Sequence, residues 1–201
     1  MRRNAYILAG GKSSRFGVNK ARVLIAGTPQ IARIATALKG DHWDVTAIAQ
    51  QADEFADLGI RTLPDIAPDQ GPLAGILSGL IDLGKQRSHY GLFVTCDLWQ
   101  WHPLWTEVFL KETSSSTDEP LLYSFDLETS DKVSFVPFPC WLHRDCLAIL
   151  SEDWQIGSRS IRRAFELLSA RHNRMPIPRE YLPRSFNTPE ELERLQDEQR
   201  D

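Results

Sequence analysis

The sequence predicts a three-layer α/β fold, in which a mostly parallel β-sheet is covered by helices on both faces. The first observation is that short apolar runs alternate with stretches whose apolar residues recur at helical spacing. The second is that the strongest of these runs, residues 92–96, is apolar almost throughout, which is typical of a buried strand. The third is that Gly10, Asp65 and Asp97 lie at the ends of such runs. Ligands of these sheets bind beyond the carboxyl ends of the strands, so these positions predict one binding site.

Each element predicted in the first half of the chain has a local signal. Strands are predicted at residues 5–8, 45–49, 60–63 and 92–96. A helix is predicted to begin at Thr28-Pro29, with the Thr28 side chain as its cap and Pro29 in its first turn. Another helix is predicted to begin near Pro72 and to run past Leu83, because its apolar residues keep to one face.

The pattern is less regular in the second half. A run of Thr, Ser, Asp and Glu predicts an exposed loop over residues 111–120. Strands are predicted at 121–123 and 133–136, and a helix over 158–171. A final charged helix is predicted over 189–199, with Asn187 or Thr188 as its cap and Pro189 in its first turn.

The composition predicts a single domain in a reducing compartment. The chain has 201 residues, of which 42% are hydrophobic and 25% charged, and these values suit one globular domain. A net charge of −4 argues against a nucleic-acid-coating surface. No apolar run approaches the roughly 20 residues that a membrane span needs, and the first run is too short for a signal peptide. Three cysteines without a Cys-x-x-Cys pair favour a reduced, cytoplasmic protein.

Cys140, His143 and Cys146 raise the possibility of a zinc site. Their spacing matches no familiar zinc pattern, and a fourth ligand is not evident nearby. Cysteines that flank an apolar segment are more often core residues. We therefore expect Cys140 and Cys146 to be buried in the core.

The segment that follows the first strand predicts a phosphate-binding loop. Gly10 and Gly11 are followed by Lys12, two serines and Arg15. Glycines let the backbone turn sharply and bring its N–H groups close to an anion, and the basic side chains add positive charge. The segment is not a P-loop, because Tyr6 stands where that motif needs glycine. The dinucleotide-binding motif also fails, because Lys12 replaces its second glycine.

The order of residues in this loop resembles the signature of the molybdenum cofactor guanylyltransferases, which are MobA-like NTP transferases. The matching segment reads Leu-Ala-Gly-Gly-x-Ser-x-Arg-x-Gly over residues 8–17, and Lys20 follows it. The resemblance extends over about positions 5–195. Its other segments are Asp65 with Gly-Pro-Leu-Ala-Gly-Ile at 71–76, Cys96-Asp97, Gly-Ser-Arg-Ser-Ile at 157–161 and Asn-Thr-Pro-Glu-Glu at 187–191.

This resemblance implies a Rossmann-like fold of the nucleotide-diphospho-sugar transferase type, in one nucleotidyltransferase domain over 1–201. The nucleotide-binding half would span about residues 1–110, and the acceptor-binding half about 120–201. The implied reaction transfers GMP from GTP to molybdenum-bound molybdopterin and releases pyrophosphate, with Mg²⁺ as the cofactor. Molybdoenzymes or their chaperones are candidate partners, whereas neither nucleic acid nor membrane is expected.

The resemblance also implies roles for individual residues. Asp97 ends the central predicted strand, and a carboxylate at that position suits Mg²⁺, which binds one or two carboxylates together with substrate phosphates. The catalytic residues are expected to be Arg15, Lys20 and Asp97. The nucleotide is expected to contact Leu8, Ala9, Gly10, Gly11, Lys20, Asp65, Gly71 and Asp97, and the acceptor Arg159, Asn187 and Thr188.

The sequence departs from the usual family pattern at three places. Asn19 stands where relatives usually have Asp. Leu98-Trp99 follows Asp97, where a proline is common two residues beyond the Asp. Phe-Pro-Cys-Trp at 138–141 stands where many relatives have His-Pro. These changes leave the expected GTP-contacting residues in place and alter the region expected to meet the pterin.

Several alternatives therefore stay open. One is a cytidylyl- or sugar-phosphate nucleotidyltransferase of the same fold, although the Gly10-Gly11 pair favours GTP. Another is a non-catalytic nucleotide-binding protein, which the departures at Asn19 and Trp99 motivate. Trp99 and its neighbours Trp101 and Trp105 could also stack on a pterin, but aromatic residues mostly pack, so a structural role is favoured.

Overall fold

A central sheet of seven strands forms the middle layer of the fold. The computed structural model describes residues 3–11, 16–17, 19–116, 119–126 and 136–199. The strands in these ranges are β1 (Arg3–Leu8), β2 (Leu24–Ile25), β3 (Thr28–Pro29), β4 (Trp43–Ala49), β5 (Arg61–Pro64), β6 (Tyr90–Thr95), β7 (Leu122–Asp126), β8 (Cys140–His143) and β9 (His172–Pro176). The order in the sheet is β5-β4-β1-β6-β8-β7-β9, and β2 and β3 form a separate hairpin.

The sheet is mostly parallel, which confirms the predicted fold class. Strand β1 pairs in parallel with both β4 and β6, and β4 pairs in parallel with β5. Strand β8 lies antiparallel between β6 and β7, and β7 pairs in parallel with β9. The carboxyl ends of β1, β4, β5 and β6 therefore lie along one edge of the sheet.

Helices cover both faces of this sheet. The α-helices of the described ranges are α1 (Gln30–Gly40), α2 (Pro72–Leu83), α3 (Leu104–Ser115), α4 (Cys146–Gln155), α5 (Ile161–Leu167) and α6 (Pro189–Asp197). Successive strand residues point to opposite faces, so each strand contributes to two apolar cores. In the part of the chain that the structure describes, no helix combines the length and the apolar character needed to cross a bilayer.

The two cores divide the helices between the faces. Ala5 and Ile7 of β1 belong to a buried cluster with Ile31 of α1 and Trp105 of α3. Tyr6 and Leu8, which alternate with them, belong to the cluster that contains the apolar residues of α2, α4 and α5. A third, smaller cluster joins α6 to the β2–β3 hairpin; its buried members are Ile25, Trp99, Phe186, Leu192 and Leu195.

The first predicted helix begins at Gln30 rather than at Thr28. Thr28-Pro29 instead forms strand β3, which pairs antiparallel with β2. The turn of this hairpin, Ala26-Gly27, has positive φ at both residues, 50° and 79°. The prediction that Thr28 caps the helix is wrong, because the hairpin extends its backbone; Pro29 is the cap residue and no side chain bonds there.

The predicted loop over 111–120 is wrong for its first part, because α3 continues to Ser115. The hydroxyl of Thr113 donates to the Phe109 carbonyl at 3.0 Å, and that of Ser114 donates to the Leu110 carbonyl at 2.7 Å. Hydroxyl groups that bond back to the preceding turn remain compatible with a helix. The apolar side chains of Trp105 and Phe109 hold α3 on the sheet.

The helices predicted near the end of the chain agree with the structure in type more than in length, whereas α3, β8, α4 and β9 were not predicted. The helix predicted over 158–171 is only α5, capped by the Ser160 hydroxyl, followed by a 3₁₀ turn at Ser169–Arg171. Helix α6 begins at Pro189 with the Thr188 hydroxyl accepting from the Glu191 N–H, which confirms the predicted cap. Most of the strand predicted at 133–136 lies outside the described residues.

Candidate active site

A cavity of about 350 Å³ opens at the carboxyl ends of β1, β4, β5 and β6. Parallel α/β sheets bind their ligands at this edge. Of the residues expected from the sequence, this cavity brings together Leu8, Gly10, Gly11, Lys20, Asp65, Gly71 and Asp97. Its lining also contains Gly75, which the sequence places in the same glycine-containing segment as Gly71. Further lining residues, not predicted as site residues, are Ile48, Asp69, Pro72, Thr95 and Cys96. The buried Ala9 lies beside it, held by a 2.8 Å bond from its N–H to the Ile48 carbonyl.

Gly10 lets β1 approach the neighbouring strand at the floor of the cavity. A Cβ atom at Gly10 would lie 3.3 Å from Oδ2 of Asp65, and one at Gly75 would lie 3.0 Å from Cδ2 of Leu8. Side chains at these two positions would therefore push into Asp65 and Leu8. The first glycine of the loop is needed for this packing, whereas Gly11 is exposed and has open space around it.

Asp65 is half-buried at the end of β5. Its Oδ1 accepts a hydrogen bond of 3.0 Å from the N–H of Ala67, and its own N–H donates to the Ala49 carbonyl at 2.7 Å. Burial raises the pKa of this carboxyl, and the nearby charge of Asp69 adds to the rise, while the bond from Ala67 acts against it. An acceptor at this depth in the cavity suits recognition of hydroxyl or amino groups.

Asp97 faces Lys20 across the cavity. The Lys20 Nζ lies 3.5 Å from Oδ2 of Asp97, and the Thr95 hydroxyl donates to Oδ1 at 2.6 Å. The Lys20 side chain is only 11% exposed and that of Asp97 is 22% exposed, so this ion pair is largely shielded from solvent. Thr95, the last residue of β6, thus orients Asp97, the predicted metal ligand. The only sequence signal for this role of Thr95 is its position two residues before Asp97.

The segment 184–187 joins the site from the far end of the chain. Its pairing with the residues after Asp97 is antiparallel, with a bridge between Leu98 and Ser185. The N–H of Trp99 donates to the Arg184 carbonyl at 2.8 Å, and the N–H of Phe186 donates to the Asp97 carbonyl at 3.1 Å.

As a result, Asn187 lies beside Lys20 of the cavity. The Lys20 Nζ donates to Oδ1 of Asn187 at 3.1 Å and to the Phe186 carbonyl at 3.4 Å. Lys20 therefore lies between Asp97 and Asn187 and contacts both.

The other expected acceptor residues have different surroundings. The Thr188 hydroxyl caps α6. The Arg159 guanidinium lies over the Trp154 ring at 3.5 Å and bonds to the carbonyls of Trp154 and Ser158. The backbone of Arg159 is nearer the site, since its carbonyl lies 3.8 Å from the position of a Cβ at Gly71. Gly71 itself has φ of 89°, which favours glycine there. Arg15 lies outside the described residues.

The departures from the family pattern are accommodated by local structure. Asn19 precedes the 3₁₀ turn Lys20–Arg22, and its Oδ1 accepts from the Ala21 N–H at 3.0 Å, as an Asp oxygen would. Trp99 is buried in the cluster of α6. Trp101 and Trp105 are also buried, and their indole N–H groups donate to Asp41 and to the Tyr181 carbonyl.

The predicted metal ligand fits a hard divalent cation. The Asp97 carboxylate faces the cavity, and Asp65 and Asp69 line the same space. Carboxylate oxygens are the ligands that Mg²⁺ prefers, and they leave room for water and substrate phosphates.

A glycine-bearing loop after β1, a lysine, and a carboxylate after β6 lie together at one edge of a parallel sheet, the arrangement expected of a nucleotidyltransferase. The chain belongs to the MobA-like NTP transferase family, whose model matches residues 5–174. It is therefore a member of a nucleotidyltransferase family, as the sequence predicted.

Individual relatives agree with this assignment. A "probable molybdenum cofactor guanylyltransferase" of Nostoc sp. is 28% identical over 197 residues, which cover 96% of this chain and 90% of that protein. One from Clostridium perfringens is 38% identical over 99 residues, which cover 49% of this chain, so the match spans only about half the length (48%) of that relative. The crystal structure of molybdopterin-guanine dinucleotide biosynthesis protein A from Archaeoglobus fulgidus superposes with a TM-score of 0.73 over 98% of each chain. At 18% identity, that similarity shows the fold.

Proposed function

We propose that this chain transfers GMP from GTP to molybdenum-bound molybdopterin and releases pyrophosphate. The observation that carries the proposal is the position of Lys20, whose Nζ contacts both Asp97 on the nucleotide side and Asn187 on the opposite side. The names of the Nostoc and Clostridium relatives support GTP and molybdopterin as the substrates.

The chemistry requires two anions to be held together. A terminal phosphate oxygen of the pterin forms a bond to the α-phosphorus of GTP, and the bond from that phosphorus to the β-bridging oxygen breaks. The electron pair leaves with pyrophosphate. Positioning and charge neutralisation supply most of the rate in such a reaction.

Each described residue has a separate task in this proposal. The backbone at Gly10 and Gly11 and the Lys20 ammonium bind the triphosphate, with Arg15 as a further cation. Asp65 accepts hydrogen bonds from the nucleoside. When Mg²⁺ is bound, it neutralises phosphate charge, and Asp97 is the residue that would hold it.

The acceptor is proposed to bind near Asn187, Thr188 and Arg159. Thr188 contributes through its position at the start of α6, because its hydroxyl is used as the helix cap. Arg159 would have to leave the Trp154 ring to meet a phosphate. This division corresponds to a nucleotide-binding half over about 1–110 and an acceptor-binding half over about 120–201. A cytoplasmic location and delivery of the product to molybdoenzymes or their chaperones complete the proposal.

The test is pyrophosphate release from GTP with Mg²⁺, measured with and without molybdenum-loaded molybdopterin. CTP as the donor and a sugar phosphate as the acceptor are run in parallel. We expect release only when GTP and the pterin are both present. Release with CTP would change the base assignment and keep the transfer mechanism, and release with a sugar phosphate as the acceptor would change the acceptor. Binding of GTP without release under any of these conditions would contradict a catalytic role.

A further inference from the structure

Three side chains with metal-binding atoms meet at the edge of the sheet opposite the cavity. His89 directly precedes β6, Glu119 lies shortly before β7, and His143 ends β8. One ligand atom from each lies within 4.8 Å of the others. Asp97 follows the opposite end of β6, so this cluster is separated from the candidate active site by about 20 Å, the length of a six-residue strand.

The imidazole of His143 lacks a partner on the side that faces the cluster. Its side chain is only 4% exposed, and its buried Nε2 has no hydrogen-bond partner. A buried polar atom without a partner is destabilising, so a ligand at this atom would remove a penalty.

The opposite nitrogen of the same ring contacts Asp145. The Asp145 backbone N–H lies 3.2 Å from Nδ1, and its carboxylate Oδ2 lies 3.4 Å from it. With Nδ1 as acceptor, the ring proton remains on Nε2, where it has no acceptor. With a cation on Nε2, the ring proton would shift to Nδ1, which would give up its bond from the Asp145 N–H and have the Asp145 carboxylate as its nearby acceptor. A carboxylate beside the second ring nitrogen is usual for metal-binding histidines.

The distance between His143 and Glu119 fits a shared cation better than a direct bond. Nε2 of His143 and Oε2 of Glu119 are 3.9 Å apart, which is too long for a hydrogen bond. Two ligands of a tetrahedral zinc ion at 2.0–2.2 Å lie roughly 3.3–3.6 Å from each other. Because the Glu119 side chain is 66% exposed, a small rotation would close the difference.

Backbone bonds hold the three segments together without any ligand. The Arg144 N–H donates to the His89 carbonyl at 2.8 Å, and the His143 N–H donates to the Leu121 carbonyl at 2.9 Å. The Tyr90 hydroxyl donates to the Pro120 carbonyl at 2.7 Å. The cluster is thus preorganised, and a cation would find its ligands already close.

We infer that His89, Glu119 and His143 form a binding site for a divalent transition-metal ion, with Zn²⁺ as its best match. Two imidazole nitrogens and one carboxylate are a known zinc ligand set, whereas Mg²⁺ prefers oxygen ligands alone. The bound ion links the chain segments before β6 and β7 to the end of β8, and so ties the two proposed halves together. Cys140 and Cys146 take no part: both are buried, and the Cys146 thiol contacts the Leu121 carbonyl at 3.1 Å.

The test uses the full chain without an affinity tag, freed of metal by a chelator and titrated with Zn²⁺ in a calorimeter. Co²⁺ serves as a second probe, since its visible spectrum reports tetrahedral nitrogen and oxygen ligands. The variants are His89→Ala and Glu119→Gln, both at exposed side chains that should not disturb folding. His42→Asn is the control, because His42 is exposed, lies outside the cluster, and has φ of 63°, which Asn tolerates.

We expect one zinc ion per chain and a rise in Tm with Zn²⁺. His89→Ala and Glu119→Gln should weaken zinc binding by at least ~10-fold, since loss of even an outer partner of a metal ligand costs about 10–100-fold. His42→Asn should bind like the wild type. Asp97→Asn should also keep this zinc site, which separates it from the proposed Mg²⁺ site. Any one of three results would overturn the inference. They are a wild-type chain that does not bind zinc stoichiometrically, a His89→Ala variant that binds zinc as tightly as the wild type, and an Asp97→Asn variant that no longer binds it.

Discussion

At the scale of single residues, Asp65 serves two opposed requirements. Its carboxylate is an acceptor at the floor of the cavity, yet burial raises its pKa, so the charged form is disfavoured in the folded protein. A group whose pKa is raised on folding contributes stability below its unfolded pKa and loses it as the pH rises through the folded pKa. Above its raised pKa, Asp65 therefore lowers the free energy of unfolding relative to its value at low pH.

The variant Asp65→Asn should separate the role of Asp65 in ligand binding from the cost of burying its charge. The amide oxygen can still accept from the Ala67 N–H, and the penalty of the buried charge disappears. We expect a Tm higher by about 1–2 °C at pH 7, converging with the wild type below the ordinary aspartate pKa of 3.8. Affinity for GTP should fall by about 10-fold, the upper range for one lost hydrogen bond. Thermal melts over a pH series and nucleotide titrations would measure both effects, and a lower Tm at pH 7 would contradict the burial argument.

Asp97 is the residue on which the proposed chemistry depends most. Asp97→Asn keeps the shape of the side chain but removes the charge that faces Lys20 and would hold the metal. We expect turnover to fall by at least ~10²-fold, the scale of losing one principal electrostatic stabiliser. Initial rates at saturating GTP would measure it. Asp69→Asn, which changes a carboxylate in the same cavity, is the matched control, and its turnover should fall by less than ~10-fold. If both variants lost turnover equally, the total negative charge of the cavity would matter rather than Asp97 itself.

At the scale of elements, helix α2 is positioned by its small residues. A Cβ at Gly79 would lie 2.6 Å from Cε1 of Phe93 and 3.1 Å from Cγ of Tyr6, and both rings are buried. The helix can lie this close to β1 and β6 only because Gly79 has no side chain. The same closeness brings Gly75, one turn earlier, against Leu8 at the floor of the cavity.

Gly79→Ala should therefore be destabilising despite the higher helix propensity of alanine. Overpacking of a dense core costs about 1–3 kcal/mol. Gly84→Ala is a suitable control, because Gly84 has φ of −60° and an added Cβ would make contacts no closer than 3.6 Å. Denaturant unfolding should show a lower free energy of unfolding for Gly79→Ala and little change in it for Gly84→Ala. A neutral Gly79→Ala would mean that the rings can move aside.

Local signals account for most of the elements that the sequence predicted. Strand β6 and helix α2 have strong apolar patterns, and their bounds agree closely with expectation. The β2–β3 hairpin was missed because its turn, Ala26-Gly27, lacks the Asn or Asp that marks such turns. Helix α3 was not predicted, and its last residues were assigned to a loop because Ser and Thr are typical of loops. The packing of Trp105 and Phe109 against the sheet overrides that preference.

At the scale of the whole molecule, the site depends on contacts between distant parts of the chain. The carboxylate of Asp97 and the glycines of the first loop could be predicted because each ends a strand of a parallel sheet. The pairing of Leu98 with Ser185 could not be, since a two-residue bridge leaves no periodic pattern. Asn187 was expected only through family resemblance, and its contact with Lys20 follows from that pairing.

The variant Phe186→Ala should test whether the site depends on the packing of the segment 184–187. Phe186 is fully buried beside Trp99, and its loss would loosen the segment that carries Asn187. We expect a destabilisation of about 3–5 kcal/mol and turnover lower by about 10-fold at temperatures where the protein remains folded. Leu192→Ala, in the same cluster but on α6, should cost stability with little change in turnover. Turnover is compared per folded molecule. If both variants lowered it equally, Phe186 would have no special role in positioning the segment that carries Asn187.

The contact between Lys20 and Asn187 also sets the order in which the site can be assembled during synthesis. These residues are 167 positions apart. At ribosomal rates of about 5–20 residues per second, roughly 10–30 s pass between the emergence of one and that of the other. Throughout that interval the growing chain carries Lys20 without the segment whose Phe186 and Asn187 bond to its Nζ. The arrangement around Lys20 can therefore form only after translation has passed Asn187.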